Sequence, residues 1–195
     1  SHPGTLHSCW YRNHLVNIDG AGLTRYNQAT VTIYPVVPNS YTLMGFIPAS
    51  ATWFTYLDLK DAFFCLHLAQ LAIFAFQWSE LQFTWTRLPQ AFKNSLTIFE
   101  EALASDLKAY TLPNYNCALL EYIDDLLLAV PTQKDCFQGT QDLLYLLWKA
   151  GYKVFRKKAQ ICFKSFQYLG FYVSQGKDGL VENESRLFVH FLLQP

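Results

Sequence analysis

The sequence predicts an α+β fold in which two helices cover one face of a mainly antiparallel sheet and leave the opposite face open. Short apolar runs typical of strands end near Asp58, flank Ser79-Glu80 and meet at Asp124-Asp125. Two longer segments, 96–110 and 133–150, have helical periodicity. Strands interrupted by helices in this order favour a layered α+β domain over a helical bundle.

The strands are predicted from short runs of β-branched and aromatic residues. The run from Trp53 to Leu59 places Asp58 at a strand end. Residues 72–78 and 82–86 predict a hairpin, because the second run alternates aromatic and polar side chains. Two further strands are predicted at 160–163 and 167–173.

The two helices are predicted from capping residues and apolar spacing. A capping box, Thr97-Ile98-Phe99-Glu100, predicts the start of the first helix. Its apolar residues recur at steps of three and four, at Leu96, Phe99, Leu103, Leu107 and Tyr110. The second helix is predicted to end at Gly151. Its inward residues are predicted to be Cys136, Leu143, Leu144, Leu147 and Trp148.

Composition limits the classes of function. The 195 residues are 51% hydrophobic and 17% aromatic, which excludes a disordered chain. Fifteen basic and fifteen acidic residues give no net charge, so the chain as a whole lacks the basic character expected of an independent nucleic-acid-binding domain. Residues 149–164 nevertheless form a local basic patch. Five scattered cysteines without C-x-x-C spacing argue against zinc and disulfides and favour a reducing, intracellular and cytoplasmic setting. No membrane segment is predicted.

Asp124 and Asp125 are the most informative acids, because they interrupt an apolar run from Leu119 to Val130. Burying two uncompensated carboxylates would cost several kcal/mol. A strand, turn and strand would instead place both acids at the tip, where they would suit a hard cation such as Mg²⁺. An ordinary hairpin with a polar turn accounts for the spacing equally well.

Asp58 can join this pair if its strand neighbours the hairpin. Three carboxylates on the open face of the sheet could then bind two divalent ions, which is an arrangement suited to phosphoryl transfer. The trio fits a polymerase or a nuclease, since the two differ mainly in the attacking nucleophile. Phe63 lies five positions after Asp58 and is either a core aromatic or a side chain that stacks under a sugar.

Four motifs, taken together, resemble those of retroviral reverse transcriptases. In chain order they are Leu57-Asp58-Leu59-Lys60-Asp61-Ala62-Phe63-Phe64, Leu88-Pro89-Gln90-Ala91-Phe92-Lys93-Asn94-Ser95, Tyr122-Ile123-Asp124-Asp125 and Tyr168-Leu169-Gly170. The sequence around these motifs, such as Trp85-Thr86-Arg87-Leu88-Pro89, looks most like that of the gammaretrovirus-type polymerases of endogenous retroviral elements. The resemblance covers roughly residues 28 to 180.

The resemblance implies a right-hand polymerase palm with partial fingers and no thumb, over residues 29–180. Residues 1–28 are unassigned and expected to be poorly ordered, and residues 181–195 are an unassigned tail. The implied activity is RNA-directed DNA polymerisation, with an RNA or DNA template, a primer and dNTPs as partners. A non-catalytic remnant that associates with a longer polymerase chain is one alternative. A two-metal nuclease of the ribonuclease H type is another.

The resemblance also implies roles for individual residues. Two Mg²⁺ or Mn²⁺ ions would be held by the catalytic carboxylates Asp58, Asp124 and Asp125. A lysine, Lys157 or Lys158, would approach the leaving pyrophosphate as a general acid. Nucleotide-binding positions would be Asp61, Ala62, Phe63 as the sugar gate, and Gln90. Primer-binding positions would be Tyr122, Tyr168, Leu169 and Gly170.

One position departs from the family pattern in a way that bears on activity. Ala91 stands where the family usually has glycine. A Cβ at that position would crowd a backbone that needs unusual dihedral angles or a close approach to the nucleotide.

Overall fold

The computed structural model describes residues 4–5, 21–68, 75–78, 81–168 and 171–174. The tail 181–195, most of 1–28, and Leu169 and Gly170 lie outside them. The chain forms two compact units, one of Ser1–Val36 with Asp61–Leu107 and one of Val37–Lys60 with Lys108–Pro195. The helices are α1 (Ala21–Ala29), α2 (Ser40–Met44), α3 (Ser95–Leu107) and α4 (Gln133–Lys149). The strands are β1 (Gly4–Thr5), β2 (Trp53–Asp58), β3 (Ala75–Trp78), β4 (Leu81–Thr84), β5 (Ala118–Tyr122), β6 (Asp125–Val130), β7 (Gln160–Phe163), β8 (Ser165–Tyr168) and β9 (Phe171–Ser174).

The second unit is built on a four-stranded sheet in the order β5-β6-β2-β7, with every neighbouring pair antiparallel. The predicted strand ending at Asp58 and the predicted hairpin at Asp124-Asp125 are both confirmed. The two elements are also direct neighbours, because β2 pairs with β6 along its whole length. The prediction that Asp58 lies beside the acidic hairpin is therefore confirmed.

Alternation along β6 gives the sheet two buried faces. Leu128 and Val130 point to one face, where they form a buried cluster with Cys136 of α4. Leu127 and Ala129 point to the other face and lie in a second buried cluster. The full membership of that cluster is Leu43, Met44, Ala51, Phe54, Leu120, Leu127, Ala129 and Tyr168. The expectation of an open opposite face is therefore wrong, since α2 and Tyr168 close much of it with apolar side chains.

Helix α4 begins and ends with capping interactions. The Thr132 hydroxyl oxygen accepts a hydrogen bond from the Asp135 N–H at 3.1 Å, and the hydroxyl donates to the Asp135 carboxylate at 2.8 Å. At the other end Gly151 adopts a φ of 90°, which is the left-handed conformation that glycine supplies at a helix stop. The predicted second helix and its stop are confirmed.

One predicted inward residue of α4 is wrong. Cys136, Leu143 and Leu147 are buried, but Trp148 is 72% exposed and packs its ring beside Tyr145. Leu147 already occupies the inward position of the last turn, and the next residue along a helix points about 100° away from it. Leu144 is half-buried.

In the first unit, β3 and β4 form the predicted hairpin and β1 pairs in parallel with β4. Helix α3 is confirmed, but the predicted capping box is wrong because the helix begins two residues before Thr97. Thr97 is buried inside the first turn, and its hydroxyl donates to the Ile33 carbonyl oxygen at 3.0 Å. The side chain that would have capped the helix therefore anchors the extended segment before α2.

The last predicted strand, 167–173, is not one strand. The structure has β8 and β9 there, paired antiparallel with Tyr168 opposite Phe171. The chain reverses direction between them, so the apolar run belongs to a hairpin and not to the main sheet. Among the described residues, no helix is long and apolar enough to cross a membrane.

We expect Gly139→Ala to destabilise the second unit even though alanine is the better helix former by about 1 kcal/mol. Gly139 is buried in α4, and an added Cβ would lie 2.9 Å from the Tyr110 hydroxyl and 3.0 Å from Leu128. It would also disturb the hydrogen bond from Tyr110 to the Gly139 carbonyl. Chemical denaturation should show a loss of about 1–3 kcal/mol. The exposed Gln138→Ala is the control, and a more stable Gly139→Ala chain would contradict this packing.

Candidate active site

The register of the sheet places three candidate site residues in one row. Asp58 at the end of β2 pairs with Asp125 at the start of β6, and Asp125 pairs with Tyr122 at the end of β5. Directly paired residues on antiparallel strands point to the same face, with Cβ atoms about 4.5–5.5 Å apart. The two carboxylates and the tyrosine therefore share one end of the sheet, on the face that carries Tyr168.

Asp124 lies in the turn between β5 and β6, and that turn is strained. Ile123 has a φ of 57°, a left-handed conformation that is unusual for a β-branched residue and costs about 1–3 kcal/mol. The Asp124 carbonyl oxygen accepts a hydrogen bond from the Leu59 N–H at 2.8 Å, so the turn is fastened to the residue after Asp58. The backbone thus holds all three acids at one end of β2 and β6.

The segment after α4 brings a lysine to these acids. Val154 bridges to Leu59, and the Phe155 N–H donates to the Asp58 carbonyl oxygen at 2.8 Å. The tight turn that follows places Lys158 Nζ 2.7 Å from Asp58 Oδ2 and 5.3 Å from the centre of the Phe155 ring. Sequence reasoning left open whether Lys157 or Lys158 approaches the acids. It is Lys158 that forms the ion pair.

Tyr56 is a site residue that sequence reasoning missed. Its hydroxyl donates a hydrogen bond to Asp125 Oδ1 at 2.7 Å, and the edge of its ring contacts the ring of Tyr168, with centroids 5.6 Å apart. Tyr56 lies two residues before Asp58 on β2, and alternate residues of a strand share a face. That period of two was the signal from which it could have been found.

The surroundings of Asp124 and Asp125 disfavour the ionised forms of their carboxyl groups. Partial burial raises the pKa of the Asp124 carboxyl above its ordinary value, and the charge of Asp58 adds to the rise. Burial also raises the pKa of Asp125, while the hydrogen bond from Tyr56 and the charge of Lys158 oppose that rise. The hydrogen bond with Asp58 raises the pKa of Lys158, and burial raises the pKa of the Tyr56 hydroxyl. A cation at this end of the sheet would favour the ionised form of both acids.

The donor set fits a hard divalent cation. Carboxylate oxygens are the ligands that Mg²⁺ prefers, and the charge of Lys158 already stands at Asp58 where positive charge is needed. Within the described residues, no group of three or more His, Cys, Asp or Glu side chains converges closely enough to form a ready metal site.

The predicted nucleotide-binding residues belong to the first unit. Asp61 has a φ of 52° and precedes a 3-10 turn, Ala62–Cys65, in which Ala62 is buried. The ring of Phe63 packs against the buried Phe99 of α3 with centroids 5.3 Å apart. Gln90 is exposed in the turn before α3.

The concern about Ala91 is not supported by its backbone. The described non-glycine residues with positive φ are Asp61, Ile123 and Cys162, so Ala91 adopts an ordinary conformation. Ala91 is exposed, and its carbonyl oxygen accepts a hydrogen bond from the Asn27 side chain at 3.0 Å. Alanine causes no backbone strain at this position. The predicted primer-binding Leu169 and Gly170 lie outside the described residues, whereas Tyr168 is buried beside Tyr56.

Comparison with known sequences identifies the family. Residues 12–173 match the family model for reverse transcriptase (RNA-dependent DNA polymerase). The Gag-Pol polyprotein of woolly monkey sarcoma virus is 50% identical over 163 residues, covering 80% of this chain and 10% of that protein. The Gag-Pol polyprotein of avian reticuloendotheliosis virus is 42% identical over 198 aligned residues, covering 93% of this chain and 17% of that protein. The Pol polyprotein of feline endogenous virus ECE1 is 46% identical over 176 residues, covering 86% of this chain and 17% of that protein.

Solved structures agree with this assignment. The foamy viral protease-reverse transcriptase in complex with an RNA/DNA hybrid has a TM-score of 0.64 at 25% identity, over 80% of this chain and 21% of that one. The foamy viral protease-reverse transcriptase in complex with double-stranded DNA has a TM-score of 0.63 at 25% identity, over 79% of this chain and 26% of that one. The fold is that of a partial polymerase palm. The chain belongs to the reverse transcriptase (RNA-dependent DNA polymerase) family, in its retroviral branch, and spans 10% to 17% of the length of these curated relatives.

We expect Asp124→Asn to raise the thermal midpoint of the metal-free chain at pH 7 by a few degrees. The folded-state pKa of Asp124 lies above its ordinary value of 3.8, so its contribution to stability is full below that value and is lost as the pH rises through the folded-state pKa. The gain from the substitution should therefore be present at pH 7 and disappear near pH 4. Thermal melts in chelator at both pH values measure this. The exposed Glu101→Gln controls for the loss of one charge. A lower midpoint for Asp124→Asn at pH 7 would contradict the expectation that the surroundings of Asp124 disfavour its ionised carboxyl.

Proposed function

We propose that this chain carries the catalytic palm of an RNA-directed DNA polymerase that joins a dNTP to a primer 3′-hydroxyl. The observation that carries the proposal is the gathering of Asp58, Asp124 and Asp125 at one end of the sheet, with Lys158 on Asp58. The family assignment supports it, and so do the relatives solved with an RNA/DNA hybrid and with double-stranded DNA.

In this proposal the three carboxylates hold two Mg²⁺ or Mn²⁺ ions. Such ions, when bound, activate the attacking hydroxyl and neutralise the charge that develops on the leaving pyrophosphate. Asp58 and Asp125 are fixed by their strands in one row with Tyr122, and Asp124 lies in the adjoining turn. Tyr122 then lies against the primer end, and the β8–β9 hairpin that begins with Ser165 and contains Tyr168 supports the primer.

Lys158 balances the charge of Asp58 when no substrate is present. Its side chain is 59% exposed, so its ammonium can turn towards a bound triphosphate at little cost. There it donates a proton to the pyrophosphate oxygen as the P–O bond breaks. A lysine ammonium in solvent carries its proton at neutral pH, so Lys158 has a proton to donate.

The remaining proposed roles concern nucleotide selection. Phe63 excludes a 2′-hydroxyl, and Gln90, with Asp61 and Ala62, lines the nucleotide pocket. Packing against Phe99 limits the movement of the Phe63 ring, as a steric gate requires.

Single-nucleotide extension of a labelled DNA primer on an RNA template tests the activity. With Mg²⁺ or Mn²⁺ present, the unmutated chain should extend the primer and Asp124→Asn should lose at least roughly a hundredfold of that activity. The same reactions run without dNTPs report cleavage of the RNA strand. Cleavage without extension, lost in Asp58→Asn, would favour a nuclease instead. Neither reaction, with no metal-dependent shift in a thermal melt, would favour a non-catalytic binding module that pairs with a longer polymerase chain.

A pair of lysine variants tests the proposed general acid. We expect Lys158→Gln to lower kcat by roughly ten- to a hundredfold with a smaller change in KM, because proton donation acts mainly in the transition state. Lys157→Gln removes the same charge from the neighbouring position and should have a clearly smaller effect, since the ion pair with Asp58 belongs to Lys158. Steady-state extension kinetics at saturating template measure both. Equal losses in the two variants would indicate a general electrostatic contribution from the basic patch instead.

A further inference from the structure

We propose that Tyr56 is a positioning residue for Asp125, whose carboxylate it holds in the orientation that binds a divalent ion. The inference rests on the proposed function, because it concerns the same metal site. It extends that function by assigning a role to Tyr56, which lies outside the four sequence motifs.

The position of Tyr56 on β2 gives its hydroxyl access to Asp125. Tyr56 pairs directly with Leu127, and Asp125 lies two residues away on the same strand and the same face. Such diagonal neighbours are within reach of a long aromatic side chain. The resulting hydrogen bond measures 2.7 Å from the hydroxyl to Oδ1, which is within the roughly 2.5–2.7 Å range expected when a hydroxyl donates to a carboxylate.

The ring of Tyr56 is itself held in place. One edge contacts the ring of Tyr168, which is buried, and the side chain packs against the apolar cluster that contains Leu127. The hydroxyl therefore cannot follow a rotating carboxylate without moving the ring from these contacts. A rigid donor of this kind fixes its acceptor, which is the role that hydrogen-bonded neighbours of metal ligands play in other sites.

Two opposite effects of the hydroxyl on metal binding can be weighed. It occupies one lone pair of Oδ1, which by itself would weaken binding, and it orients the carboxylate, which strengthens binding. A carboxylate has about four lone-pair sites, so the hydrogen bond leaves Oδ2 and part of Oδ1 for an ion. Asp125 also lies beside Asp124 and Asp58, whose like charges would otherwise push its carboxylate away from a shared ion. The orienting effect therefore prevails, and removal of the hydroxyl should weaken metal binding.

The test is a titration of the full chain with Mn²⁺, without nucleotide or nucleic acid, following the electron paramagnetic resonance signal of free Mn²⁺. Tyr56→Phe keeps the ring and removes only the hydroxyl, and we expect its Mn²⁺ affinity to fall by roughly tenfold or more. Tyr110→Phe is the matched control, because it also removes a hydroxyl that donates a hydrogen bond, in that case to the Gly139 carbonyl oxygen at 2.9 Å. Its Mn²⁺ affinity should equal that of the unmutated chain. Asp125→Asn should lose the site.

Each alternative outcome has a distinct meaning. Mn²⁺ affinity in Tyr56→Phe that equals or exceeds that of the unmutated chain, with binding lost in Asp125→Asn, overturns the role of Tyr56 and leaves the proposed function standing. A lower metal-free thermal midpoint for Tyr56→Phe with unchanged affinity shows a purely structural role and overturns the inference as well. Failure of the unmutated chain to bind Mn²⁺ at all overturns both the inference and the metal site on which it rests.

Discussion

The pairing of β2 with β6 is the constraint on which the site depends. In that register Asp58 is opposite Asp125, and the apolar residues behind them alternate between two buried faces. A slip of one residue would turn Asp125 towards α4 and would move Leu128 and Val130 out of their cluster. The same burial that stabilises the sheet therefore fixes the positions of the carboxylates. Because each face packs its own set of buried side chains, a slip would disturb both clusters.

Several features at this end of the sheet oppose stability, and all of them concern charge or backbone strain. Ile123 is left-handed, and Asp124 and Asp125 lie beside one another in a partly buried place, which raises the pKa of both carboxyls. Strain and unfavourable charge are commonly concentrated where a protein binds a ligand, since the rest of the fold must hold them there. The fully buried side chains of β6 directly behind the acids supply that support.

Much of this arrangement could be predicted from the sequence, because it depends on local patterns. The strand ending at Asp58, the acidic hairpin and the helix ending at Gly151 follow from apolar runs and from turn or capping residues. The motifs identified the family for the same reason, because each motif is a short contiguous stretch of sequence. The capping box at Thr97 was wrong because the hydroxyl of Thr97 found a partner in a distant segment, which no local pattern reveals.

Tertiary contacts account for the other differences. The face opposite α4 is covered by α2 and by Tyr168, which lie outside the four strands of the sheet, so the alternation within the strands could not show it. The choice between two adjacent lysines depended on a turn fastened to β2 through Val154. Trp148 was assigned inward because it is apolar, but Leu147 occupies the inward position and Trp148, about 100° further round the helix, is exposed.

Two of the three acids have partners of opposite kinds. Lys158 supplies one positive charge to Asp58, and Tyr56 supplies a hydrogen bond to Asp125, so each of these two acids has a partner of its own. The two partners differ in how readily they can leave. The lysine side chain is 59% exposed, so few contacts hold it, whereas the tyrosine ring is packed against Tyr168. A cation that approached these acids would therefore displace the lysine more easily than the tyrosine, because only the lysine's contact can be broken without disturbing the apolar cluster.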